Sequence, residues 1–91
     1  MRLDLFLKLS RVCPRRSLAQ KLCDAGFVLL NGRPAKSAHA VKVGDVISIR
    51  LRDRETEVRV TSLPSARSVS RRDAHTLIDI VSERQIDPND F

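Results

Sequence analysis

Arg2, Arg11, Arg15 and Arg16 fall within the first sixteen residues, and each guanidinium is a planar fork able to bridge two oxygens of one phosphate, which an ammonium cannot do. Lys8, Lys21, Arg33 and Lys36 extend the series along the chain. The chemistry open to such a series is capture of a polyanion. Residues 1 to 50 hold ten Lys and Arg against three acids (Asp4, Asp24, Asp45), whereas residues 51 to 91 hold seven against eight. The net charge of +6 therefore resides entirely in the first half. A surface made basic for solubility would intersperse its signs, so the segregated block fits a face turned toward a nucleic acid. Salt bridges of Arg11 or Arg16 with Asp4 or Asp24 can absorb some of these cations, but three acids cannot absorb ten. For Arg2 beside Asp4, a mutual structural role and RNA contact both remain open.

Other chemistries find little support. Cys13 and Cys23 stand ten residues apart and, with His39 and His75, make up the inventory of a zinc site, but neither a C-x-x-C nor an H-x-x-x-H spacing occurs. No secretory context favours a disulfide, and the thiols read as small packing groups. The sequence lacks a glycine-rich phosphate loop, a G-x-S-x-G elbow and an H-E-x-x-H helix. No enzyme activity, cofactor or metal is expected. Three Phe with no Trp or Tyr leave few platforms for splayed bases, so phosphates and shape must dominate any RNA contact. No apolar run approaches about 18 residues, and Asp4 sits where a leader's apolar stretch would begin. A cytoplasmic protein with no membrane partner is the expectation.

The elements that must position these cations can be read in order. Leu3, Phe6 and Leu7 at helical spacing predict a short helix over 2–9. Pro14 offers a first-turn residue for a second helix reaching about Ala25, with Leu18, Leu22 and Ala25 as its core stripe and Gly26 as its stop. Phe27 to Leu30 followed by Asn31-Gly32 predicts a hairpin with a type I′ turn, and Pro34 confines the returning strand to a short edge. A polar connector over 36–43 leads through a Gly44-Asp45 turn to a second hairpin, Val46–Leu51 with Glu57–Thr61, turning around Asp53 to Glu55. Residues 65–72 read as a Ser/Arg-rich flexible linker. Ala74, Leu77, Ile78 and Val81 suggest a short terminal helix after a Ser70-x-x-Asp73 cap, although 78–81 would also suit a strand. The end, 86–91, reads as frayed. The division is a domain over 1–63 and a linker with a terminal segment over 64–91.

Arg2-Leu3-Asp4-x-Phe6-Leu7, Ser10-Arg11, Arg15-Arg16-Ser17-x-Ala19, Gly26, Val28-x-x-Asn31-Gly32, Lys36 and Val43-Gly44-Asp45-x-Ile47 occur in that order. This set, covering about residues 1–51, resembles the S-four RNA-binding domain, or alpha-L motif. Each element alone is weak, and the ordered set is specific. The resemblance implies an α+β fold: two short N-terminal helices packed on a small bent antiparallel sheet, here with a flexible C-terminal tail. Within the superfamily the chain is similar to two kinds of small free-standing protein. One kind is the heat-shock proteins that bind large subunits carrying stalled peptidyl-tRNA; the other is the quality-control factors that stabilise P-site tRNA. Its length and short C-terminal segment favour the latter. The family's RNA face, carried onto this chain, implicates Arg2, Lys8, Arg11, Arg15, Arg16, Lys21, Asn31, Arg33 and Lys36. Implied partners are ribosomal RNA of the large subunit and tRNA, bound by a monomer. Cys13-Pro14 departs from the family pattern and bears on where the second helix starts. Two rival readings are an accessory module of an RNA-modifying enzyme and a helix-turn-helix DNA-binding protein; the latter would need a dimerisation stripe, and none is visible.

Overall fold

The computed structural model describes residues 1–64 and 71–85. Helix α1 (Leu3–Leu9) buries Leu3, Phe6 and Leu7 completely, the three apolar positions whose spacing predicts it. Its N-terminal amides are met from the connector: Leu3 N–H donates to the His39 carbonyl at 2.8 Å and Asp4 N–H to that of Ser37 at 3.1 Å. The chain leaves α1 through Arg11, held at φ 63°, where Arg11 N–H donates to Lys8 C=O and Cys13 N–H to Leu7 C=O. An arginine in the left-handed region gives up about 1 to 2 kcal/mol relative to ordinary backbone.

Helix α2 (Arg16–Asp24) begins two residues later than Pro14 suggests, with Arg15 in extended conformation as its N-cap. The restriction that proline places on its predecessor keeps Cys13 outside the helix, and Arg15, extended at φ −143° and ψ 146°, delays the start past Pro14. Its buried face is Ala19, Leu22 and Cys23 rather than the expected Leu18, Leu22 and Ala25; Leu18 is half-buried and Ala25, the C-cap, is exposed. Gly26 at φ 82° closes the helix. Its N–H donates to Cys23 C=O, and Phe27 N–H donates to Leu22 C=O, the paired bonds of a Schellman end.

The sheet is antiparallel, in the order β2-β1-β3-β4-β5, with β1 (Val28–Leu30), β2 (Arg33–Pro34), β3 (Val46–Leu51), β4 (Arg54–Val60) and β5 (Ile78–Gln85). Leu30 pairs with Arg33 across Asn31-Gly32, whose φ angles of 52° and 85° are both positive, as the type I′ turn requires. The second hairpin turns at Arg52-Asp53, one residue earlier than expected, with Leu51 opposite Arg54. Val28, Leu30, Ile47, Ile49, Val58 and Val60 share the face under the helices and form the core with α1 and α2.

The third element differs from expectation. After a single helical turn, α3 (Arg71–Ala74), residues 78–85 form not a terminal helix but a strand paired along β4. Val58 lies opposite Ile80 and Glu57 opposite Ser82, so Val81 is an extra residue in a bulge. That bulge breaks the period of two and leaves Ile78 and Val81 at a spacing that mimics a helix. A lone β4 edge offered a ladder of hydrogen bonds, and it outcompeted the local pattern. Of the linker expected over 65–72, residues 65–70 lie outside the described residues, as does the frayed end expected at 86–91, and residues 71–72 belong to α3 rather than to a linker.

Candidate nucleic-acid interface

The pivot of the cationic face is an acid. Asp4, on the first turn of α1, is completely buried. Arg2 donates to it twice, Nε to Oδ1 and Nη2 to Oδ2, each at 3.2 Å. Gln20, reaching across from α2, donates Nε2 to Oδ2 at 2.8 Å, and Leu5 N–H donates to Oδ1 at 2.7 Å. Arg16 brings its Nε to 3.3 Å from Oδ2, close enough for charge attraction but out of line for a hydrogen bond. Burial pushes the Asp4 carboxyl up, but the hydrogen bonds from Gln20, Arg2 and Leu5, with the guanidinium of Arg16 beside them, outweigh it and hold the group below the usual aspartate value. The carboxylate therefore stays ionised and ties α1 to α2.

Above it the two arginines are only partly covered, with 48% of the Arg2 side chain and 42% of the Arg16 side chain exposed. Arg15, beside Arg16, is exposed, and no side chain caps the α2 start that it forms. A helix start left without a side-chain acceptor concentrates partial positive charge and N–H donors where an anion can meet them.

The remaining expected residues divide. Lys8, Lys21, Arg33 and Lys36 are exposed. Arg33 lies on the edge strand β2, and Lys36 follows two residues beyond its end. Arg11 is exposed and lines a groove of about 610 Å³ with Arg52, Arg54, Ile78 and Ile80, a groove whose lining includes none of the other expected residues. Asn31 is engaged within the fold: its Nδ2 donates to Asp45 Oδ1 at 3.0 Å, and its Oδ1 accepts Val46 N–H at 2.9 Å. Asp45 in turn accepts Lys42 N–H at 2.8 Å, so one clasp joins the two turns. Gln20 escaped sequence reasoning. The available signal was its place four residues after Arg16 on one helix face, but only the packing of α2 against α1 shows that this face meets Asp4. Among the described residues, no group of three His, Cys, Asp or Glu is placed to hold a metal, and no helix is long and apolar enough to cross a membrane.

A model of the S4 domain matches residues 1–47, from α1 into β3. Over 86 residues the chain is 38% identical to the RQC P-site tRNA stabilizing factor of Halalkalibacterium halodurans, a match covering 94% of this chain and 96% of that one. This chain belongs to the S4-domain family of RQC P-site tRNA stabilizing factors. The Streptococcus pneumoniae member is 36% identical over 89 residues, 98% of this chain and 99% of its own. The family likeness extends to the solved trimeric structure of Vibrio cholerae heat shock protein 15, at TM-score 0.80 and 29% identity, covering 90% of this chain and 82% of that one. The relatives' matches run past residue 47 through the sheet, so the later strands belong to the shared architecture. The family is one of RNA-binding, ribosome-associated factors and not an enzyme family.

Proposed function

We propose that this protein is a cytoplasmic RNA-binding adaptor that binds large-subunit ribosomal RNA and tRNA. It stabilises P-site tRNA on obstructed large subunits in ribosome-associated quality control, docking as a monomer with residues 1–63 as the recognition unit. The carrying observation is the Arg2–Asp4–Arg16 cluster beside the uncapped α2 start at Arg15. The names of its relatives supply the translational setting. Arg2, Arg15 and Arg16 grip phosphates from the helices, Lys8, Lys21, Arg33 and Lys36 extend the grip, and Arg11 reaches a neighbouring segment. No bond is made or broken; the adaptor holds a shape by charge.

Titration of the full chain against a ribosomal RNA hairpin and a tRNA transcript at several salt concentrations tests the mode of binding. With about six phosphates engaged, log K falls against log salt with a slope of roughly −4 to −5. A slope near zero overturns the electrostatic reading. Sedimentation of the tagged protein from cells with stalled ribosomes tests the setting: a peak with large subunits is expected, and a peak of free protein alone counts against it.

A further inference from the structure

We propose that Asp4 is a positioning residue for RNA, a buried carboxylate that sets the guanidiniums of Arg2 and Arg16 side by side as one phosphate-binding unit. The inference rests on the RNA-binding reading above and deepens it, because an acid at the centre of a polyanion-binding face otherwise works against binding.

The ratio of partners is the first argument. A carboxylate buried only to join two helices is satisfied by one arginine and Gln20, yet Asp4 draws in two arginines, leaving the cluster with a net positive charge. The second argument is which atoms are used. Arg2 offers Nε and one terminal nitrogen to Asp4, and Arg16 approaches through Nε alone. The inner edges of both forks thus point at the acid, and close to half of each side chain remains in solvent. A guanidinium has five donors, so each retains terminal N–H groups for a phosphate. The third argument is rigidity. Asp4 is held from below by Gln20 and Leu5 N–H, and its own N–H is held by Ser37 C=O. The arginines are thereby ordered when the chain folds rather than when RNA arrives, which lowers the entropy lost on binding. Glu55, which also meets two arginines, shows the contrast: it lies on the sheet, is 28% exposed, and joins neighbouring strands.

The test turns on a sign. Removing an acid from a cationic face by Asp4→Asn raises the net charge by one, so if Asp4 is merely structural, RNA binding below the melting range stays level or tightens. If Asp4 positions the arginines, affinity for a tRNA transcript falls about ten-fold and the salt slope becomes shallower by about one unit, in spite of the charge gained. Gln20→Ala leaves every charge in place while loosening the carboxylate, and should weaken binding several-fold. Glu55→Gln serves as the matched loss of an acid elsewhere and should bind as tightly as the parent or slightly better. Affinities are read at a temperature where circular dichroism shows each variant folded. If Asp4→Asn does not fold, Gln20→Ala decides alone, and unchanged affinity in that variant overturns the proposal. A steep parental slope with Asp4→Asn binding equally or more tightly overturns only the role of Asp4. A parental slope near zero removes the RNA reading and this inference with it.

Discussion

Asp4 and Glu55 are each met by two arginines, Arg2 and Arg16 in one case and Arg50 and Arg84 in the other. Asp4 has no exposure, takes hydrogen bonds from two elements of the chain, and lies in a half of the sequence with ten cations and three acids. Glu55 is partly exposed, bridges β3 to β5 from β4, and shares its face with Glu57, Arg59 and Asp79, among which the signs nearly cancel. The same trio of side chains is a helix pin with charge to spare in one place and a solvated ladder in the other. Burial and the surrounding charge decide which, and the residue types alone do not.

The largest difference should come from reversing one arginine in each trio. Arg16→Glu sets a second carboxylate against buried Asp4 and should cost about 3 kcal/mol, a melting point lower by on the order of 15 °C. Arg84→Glu meets a carboxylate that water can screen and should cost under about 1 kcal/mol. Equal losses in thermal melts would erase the distinction.

Acid should separate the two next. Both carboxyls are held below their ordinary values, Asp4 by Gln20, Arg2, Arg16 and Leu5 against burial, Glu55 by Arg50 and Arg84 against burial. A lowered folded pKa means stability that is complete above the unfolded value and lost as pH falls through the folded one. The gap in melting point between the parent and Asp4→Asn should therefore hold down to about pH 4 and close below it. The gap for Glu55→Gln should be small throughout. An Asp4→Asn gap that persists undiminished to pH 2 would mean that the carboxylate charge is not what stabilises the pin.

The smallest contrast is in binding. Arg15→Gln and Arg84→Gln each remove one positive charge. The first should make the RNA salt slope shallower by about 0.7 to 0.9 and the second should leave it in place. A shared shift would mean that net charge, rather than the helical face, governs binding.

Much of the architecture was legible because single residues dictate it. Asn31-Gly32 allows one kind of turn, Gly26 closes α2, and Leu3, Phe6 and Leu7 can be buried together only on a helix. Where the outcome depended on a distant neighbour, the sequence was silent or misleading. Ile78 to Val81 suits a helix or a strand by its own pattern, and only the pairing with β4, with its bulge at Val81, decides for the strand. Gln20 and Asp4 meet across 16 positions, a contact that exists only once two helices pack. The cations themselves were plain to see. Which of them share an acid, and that Asn31 is spent on a clasp with Asp45 and Val46, was written in the packing.

The two cysteines bracket the helix that presents Arg16, Cys13 just ahead of it and Cys23 in its last turn. Burial pushes both thiols up to about 11, Cys13 further by Cys23 and Cys23 further by Asp4 and Asp24. Oxidants and electrophiles react with thiolate, and at neutral pH a thiol of that kind is ionised in about one molecule in ten thousand. Burial thus holds both thiols, at either end of the helix that carries Arg16, in the protonated form that peroxide attacks slowly.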